Sequence, residues 1–158
     1  MNAKINIKDS ILETNRLVLR PFKRSDLDDF YAYAKVWGVG QMAGWLPHQS
    51  IKQSQEILEK FIEGEKTFAI VYKNNHKVIG SIGIENLRNI DEEKLKKLKG
   101  RELGFVLSKE YWGLGIMPEA VKKVIDYLFH DCNLDFITCS YFIDNNQSKR
   151  VQEKCGFK

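Results

Sequence analysis

Tyr111-Trp112-Gly113-Leu114-Gly115-Ile116-Met117-Pro118-Glu119-Ala120 joins two segments of different period. Before it, Glu102-Leu103-Gly104-Phe105-Val106-Leu107 is a short apolar run of buried-strand type. After it, Met117, Ala120, Val121, Val124, Ile125 and Leu128 recur at helical spacing, so an amphipathic helix begins near Pro118. Proline suits a first helical position, where the missing N–H has no intrahelical partner to lose. The unit reads strand, glycine turn, helix. Gly113 and Gly115 let the backbone bend sharply and leave no side chain between the first helical amides and a ligand. Those amides, with the positive end of the helix dipole, suit a phosphate. A plain tight turn accounts for the same residues. No Gly-Lys-Ser/Thr follows, which argues against a nucleotide-triphosphate loop. Only two glycines of the dinucleotide fingerprint are present, and no strand–helix–strand repeat precedes them. Glu119 brings negative charge into the first turn; it favours the dipole and is expected to point away from a phosphate.

A chain of 158 residues is expected to form a single domain, residues 1–158, with a proper core. Hydrophobic residues at 43% and charged residues at 29% describe an ordinary soluble globule, and the expected compartment is cytoplasmic. A net charge of +4 allows weak attraction to anions but is no nucleic-acid footprint, so stable nucleic-acid binding is not expected. Cys132, Cys139 and Cys155 form no CxxC pair, and reduced, partly buried thiols are the simplest reading. His48, His76 and His130 lack metal-ligand spacing, so no metal is expected. No apolar run is long enough to span a bilayer, and no membrane association is expected.

Along the chain, residues 12–22 alternate as one strand and end near Pro21. Ser25-Asp26 opens a helix with Leu27, Phe30, Tyr31 and Ala34 on one face. Residues 36–49 form a glycine-rich loop with large apolar side chains, Trp37, Met42 and Trp45 among them. Ser50 with Gln53 predicts a capping box for a second helix. Thr67–Tyr72 and Val78–Leu87 read as strands joined by a turn, and residues 91–99 as an exposed connection or one helical turn. Asp135–Ile143 is a further strand, and Asn145 or Asn146 caps a last helix facing inward through Val151 and Cys155. The order β-α-α-β-β-β-α-β-α predicts an α/β fold, one mixed, mostly antiparallel sheet with helices on both faces.

Four motifs in order carry a resemblance: Glu102-Leu-Gly-Phe, the glycine turn, Asn145-Asn-Gln-Ser148, and Glu153-Lys-Cys-Gly-Phe157. Together with Glu13-Thr-Asn-Arg-Leu-Val-Leu-Arg20-Pro21 and Trp45-Leu-Pro-His-Gln-Ser50, they resemble the GNAT superfamily of acyl-CoA-dependent N-acyltransferases. The chain is most similar to the branch that acetylates N-termini of ribosomal proteins. The match spans residues 12–157. Members of the family normally continue with a C-terminal β-hairpin, which is expected to be missing from this sequence. That sheet edge is therefore expected to be cut short, left open or covered by another chain, as in a homodimer.

The resemblance implies acetyl-CoA as acyl donor and an amine as acceptor, either a protein N-terminus or a small molecule. It places the donor pyrophosphate on the amides of Gly113, Leu114, Gly115, Ile116 and Met117, with Trp112 where the superfamily usually has Gln or Arg. The backbone of Phe105 and Val106 is implied to bind the pantetheine arm, beside a bulge expected at Gly104. Asn145 matches the asparagine contacting that arm, and Ser148 the serine near the CoA sulfur, as proton donor to the thiolate; helix capping explains both residues equally well. Glu102 is the candidate general base, with a strand-start glutamate paired to Arg101 as the alternative. Tyr141 is an alternative acid. Lys149 and Arg150 either meet the CoA 3′-phosphate or form a solvated helix face. Trp37, Met42 and Trp45 are implied to line the acceptor cleft, or else to pack as a lid. No cysteine or serine has a paired histidine and carboxylate, so direct attack in a ternary complex is expected. A catalytically silent acyl-CoA-binding sensor or interaction module is the alternative function.

Overall fold

A computed structural model describes residues 1–158 apart from the side chain of Met42, which lies outside the described residues. Six strands form one sheet in sequential order: β1 (Leu12–Glu13), β2 (Leu17–Pro21), β3 (Thr67–Tyr72), β4 (Lys77–Glu85), β5 (Gly100–Leu107) and β6 (Phe136–Cys139). Every neighbouring pair is antiparallel except β5–β6. The helices are α1 (Leu27–Ala34), α2 (Ile51–Gly64), the single turn α3 (Glu93–Lys96), α4 (Ile116–His130) and α5 (Asn146–Lys154). This is the expected mixed, mostly antiparallel α/β architecture. Among the described residues, no helix is long and apolar enough to cross a membrane.

Both faces of the sheet are covered, as the alternation of β3 requires. Phe68 and Ile70 point to one side, where they join Leu17, Leu19, Ile82, Ile84 and Leu103 under the inner stripe of α4. That stripe is Ile116, Met117, Ala120, Val121, Val124 and Leu128, all buried. Ala69 and Val71 point to the other side and pack with Phe22, Phe30, Tyr33, Ala34 and Leu58 from α1, α2 and the segment before them. On α1 it is Tyr33 rather than Tyr31 that is fully buried. A buried ion pair of Arg20 with Asp26, 2.8 Å at each arm, ties β2 to the entry of α1.

Several local expectations change. The strand expected over 12–22 is a hairpin, because Thr14 accepts from and donates to Leu17, its side chain taking the Leu17 amide at 3.0 Å and its own amide reaching the Leu17 carbonyl at 2.9 Å. At α2 the Ser50 hydroxyl accepts from the Gln53 amide, but the Gln53 side chain accepts from Gln49 instead of closing the box on Ser50. The strand expected over 135–143 ends at Cys139, and Tyr141, Phe142 and Ile143 are exposed rather than paired in the sheet. β4 and β5 pair without interruption from Gly80–Leu107 to Glu85–Glu102, so Gly104 carries no bulge. The sheet's irregularity lies instead between β3 and β4, at Ile70/Val71.

Gly80 permits the close approach of β5. A Cβ there would sit 2.4 Å from the Val106 carbonyl oxygen, a backbone atom that cannot swing aside. Gly80→Ala is expected to destabilise the protein by about 1–3 kcal/mol through overpacking. Urea unfolding of the two proteins side by side measures this, and equal midpoints would contradict the tight β4–β5 contact.

Candidate active site

The antiparallel ladder sets which groups of β5 are free. The Ser108 amide donates to the Ile79 carbonyl at 2.7 Å, so residues facing β4 with their hydrogen bonds alternate as 108, 106, 104. Phe105 therefore turns its N–H and C=O to the opposite side. On that side β6 pairs with β5 only from Gly100–Phe136 to Leu103–Cys139. Beyond Leu103 the two strands separate, and the edge at Phe105 faces a gap. The opening that a bulge was expected to make is made by the early end of β6.

The gap is the floor of a cleft of about 710 Å³. One wall is the glycine turn. Gly113 and Gly115 hold φ of 79° and 72°, the left-handed region that side chains resist. Among the described residues, the amides of Gly113, Leu114, Gly115, Ile116 and Met117 meet no acceptor. Those of Gly115, Ile116 and Met117 are the open start of a 15-residue helix, and those of Gly113 and Leu114 precede it. Gly113, Gly115, Ile116 and Met117 line the cleft, as does Trp112, whose indole N–H is bound to the Leu107 carbonyl at 2.9 Å. Leu114 is exposed outside the lining. A row of free amides at a helix start is a fitting cradle for a pyrophosphate, and the Phe105 edge fits an extended amide-bearing arm.

The opposite wall comes from the segment after β6 and from α5: Tyr141, Phe142, Asn145, Ser148, Arg150 and Lys154. Asn145 caps α5, its side chain accepting from the Ser148 amide at 3.0 Å. The Ser148 hydroxyl accepts from the Gln152 side chain at 3.3 Å, which leaves its own proton to donate. Lys149 lies 4.0 Å from Glu153 and Arg150 reaches the cleft.

Glu102 lies in the same cleft and is 3% exposed. Its partner is Arg88, not Arg101. Arg88 contacts Oε1 with both Nη2 and Nε, the latter at 3.2 Å, whereas Arg101 binds the Ala3 carbonyl and Asn86. Oε2 is left for a second donor. The Arg88 guanidinium is 72% exposed in its side chain, and its pairing with Glu102 raises it above the usual arginine range. The charge on Arg88 carries no sequence motif, and its distance of 14 residues from Glu102 gives no periodic signal.

From the 36–49 loop, Val39 and Ala43 reach the cleft. Trp37 is 71% exposed outside it. Trp45 turns inward, its ring 5.1 Å from that of His48 and against Gly40. Met42 has no described side chain. His48 is buried, hydrogen-bonded to the Ser54 hydroxyl at 2.7 Å, and lowered by that burial, away from the cleft. Cys139 is pushed up to about 12 by burial, by the Glu102 charge and by Cys155, so its thiol stays protonated at neutral pH.

A family model of the acetyltransferase (GNAT) domain matches residues 16–158. The chain belongs to the GNAT acetyltransferase family. It is similar to the uncharacterized N-acetyltransferase p20 of Bacillus licheniformis, 30% identical over 153 residues, 93% of this chain and 82% of that protein. Among solved structures it resembles the ribosomal-protein-S5-alanine acetyltransferase from Vibrio fischeri, with a TM-score of 0.69 and 28% identity over 95% of this chain and 84% of that one. A GNAT-family acetyltransferase from Bacillus anthracis shares the fold at a TM-score of 0.79 and 22% identity, over 92% and 82% of the two chains. The protein is thus an N-acetyltransferase by family, and GNAT enzymes use acetyl-CoA.

In this GNAT chain the carboxylate of Glu119 turns away from the cleft, into the β1–β2 turn. It accepts from the Thr14 hydroxyl at 2.6 Å, the Arg16 amide at 3.2 Å and Arg16 Nε at 2.9 Å. Burial alone would raise the carboxyl; the hydrogen bonds from Thr14 and Arg16 and the Arg16 charge outweigh it and hold the group below its ordinary value of 4.5. A carboxyl depressed in the folded state adds stability that is complete above about pH 4.5 and is lost as pH falls through the folded value. Wild type is therefore expected to unfold at higher urea than Glu119→Gln at neutral pH, with the gap closing on acidification. A gap that does not narrow as the pH is taken below 4.5 would contradict the pairing.

Proposed function

We propose that the chain is one acyl-transfer domain that moves an acetyl group from acetyl-CoA to a primary amine, by direct attack within a ternary complex. The amine is a peptide N-terminus or a small-molecule amine. The observation that carries this reading is the meeting of three features in one cleft: the glycine turn with the amides of Gly113, Gly115, Ile116 and Met117, which meet no acceptor among the described residues, the open β5 edge at Phe105, and the buried carboxylate of Glu102.

Acetyl-CoA bound there would supply a thioester, an acyl group already activated towards an amine. The amides of Gly113–Met117 hold the pyrophosphate, and the Phe105 N–H and C=O hold the pantetheine arm as an added half-strand. Such fixation places the acyl group at the end of β5, where Glu102 faces the cleft. Glu102 takes a proton from the incoming ammonium at Oε2, the oxygen that Arg88 leaves unused. The Ser148 hydroxyl, its oxygen engaged by Gln152, delivers its proton to the sulfur as the C–S bond breaks and regains one from the second proton that the attacking nitrogen sheds, with Tyr141 on the same wall as the alternative donor. The described residues that line the cleft include no cysteine and no histidine, which supports attack by the amine itself rather than by an enzyme nucleophile. A ribosomal-protein N-terminus is one acceptor within this class, by likeness to the Vibrio fischeri protein.

One observation favours a different reading: Arg88 already occupies Glu102, as it would in a module that binds acyl-CoA without turnover. Free-thiol release from acetyl-CoA, with and without a panel of peptides, polyamines and aminoglycosides, separates the two. Amine-dependent release is expected, with kcat lowered by about a hundredfold or more in Glu102→Gln. Tight binding of acetyl-CoA with no release for any amine would establish the silent module instead.

A further inference from the structure

Glu119 sets a problem for an anion site. It is the fourth residue of α4, and a carboxylate there competes with a phosphate for the same partial positive charge at the helix start. Trp112, the first residue of the turn, brings no charge to offset it, and its indole N–H is spent on the Leu107 carbonyl. The compensating cation comes from far away in sequence. Arg16, 103 residues before Glu119, lies in the β1–β2 turn behind the glycine loop.

Its guanidinium does two things at once. Nε binds Glu119 Oε1 at 2.9 Å, and Nη1 binds the Leu114 carbonyl at 2.9 Å. The second bond bears on the cradle through covalent geometry. A trans peptide directs its C=O and N–H to opposite sides, so drawing the Leu114 carbonyl back onto Arg16 turns the Gly115 N–H forward, away from Arg16. With φ of 72° at Gly115, nothing else among the described residues pins that peptide. Nη2 has no acceptor among the described residues and lies 3.7 Å from where a Gly115 Cβ would stand, so the positive charge sits directly behind the row of amides.

We propose that Arg16 is a positioning residue for the donor's pyrophosphate. It orients the Leu114–Gly115 peptide and neutralises Glu119, so that the first turn of α4 presents donors and net positive potential to the cleft. Through it the β1–β2 hairpin becomes part of the donor site without touching the donor. The inference rests on the acyl-CoA reading of the cleft.

Calorimetric titration with CoA, with dephospho-CoA and with pantetheine tests it, because only the first two carry a pyrophosphate. Arg16→Ala is expected to weaken CoA and dephospho-CoA by a common factor of about tenfold or more, the loss of a hydrogen bond from a charged donor, and to change pantetheine by less than about twofold. Adding Glu119→Gln to Arg16→Ala is expected to recover about threefold in CoA affinity, since the uncompensated charge is gone. Arg16→Lys, which keeps the charge but cannot bridge Glu119 and Leu114 with a planar fork, covers the case in which Arg16→Ala does not fold. It is expected to weaken CoA by about threefold, again sparing pantetheine. Equal weakening of CoA and pantetheine would make Arg16 merely structural and overturn the proposal, as would unchanged CoA affinity in the variants. If wild type itself binds no CoA, the acyl-CoA reading fails, and this inference fails with it.

Discussion

β5 pairs with β4 from Glu102 to its end at Leu107 but with β6 only from Gly100 to Leu103, and the rest of the site depends on that inequality. A strand left with one free edge inside a covered sheet exposes backbone groups that must be satisfied by something. Here the free edge opens into a cleft rather than onto bulk solvent. The helix that follows β5 starts at the same end, so its unpaired amides face the same space. Two sets of unsatisfied backbone donors and acceptors thus converge, both created by where elements stop. Side chains add little to this part of the site, which is consistent with Trp112 and Met117 occupying the turn without closing it.

Charge around the turn is balanced from behind. The β1–β2 hairpin has only two residues in its first strand, and packing alone would hold it weakly. Thr14 and Arg16 bind it to Glu119 and Leu114, so the edge of the sheet and the start of α4 form one unit. Arg88 plays a comparable part at the other end of the cleft, where it meets a glutamate that is almost wholly buried. In both cases an arginine fork joins residues that are distant in sequence, 103 positions for Arg16 and Glu119 and 14 for Arg88 and Glu102. A lysine ammonium carries three donors but not the rigid planar fork with which a guanidinium holds its acceptors in fixed directions.

Much of the site was legible in the sequence because its parts are neighbours along the chain. The run from Glu102 to Leu128 contains the strand, the turn and the helix, each marked by its own period and by Gly113 and Gly115. The Asn145–Ser148 cap was legible for the same reason, a hydrogen bond spanning three residues. Less legible were the consequences of packing. The large side chains of the 36–49 loop pointed to a cleft lining, but Trp45 gains more contact by folding against Gly40 and His48, and the smaller Val39 and Ala43 face the gap. The bulge expected at Gly104 is absent because the β4–β5 register runs through Gly83–Gly104 without interruption.

By itself, then, the sequence determined the local elements, their order and the family, since hydrophobic period, glycine turns and caps are short-range properties written in consecutive residues. Only the tertiary structure decided that β6 would part from β5 after Cys139, that Arg88 rather than Arg101 would meet Glu102, and that Arg16 would stand behind Gly115. Each of these pairs residues brought together by the sheet, with partners chosen by the geometry of burial and charge. Such choices leave no period in a single chain, because the free energy that makes them belongs to contacts between segments and not to either segment alone.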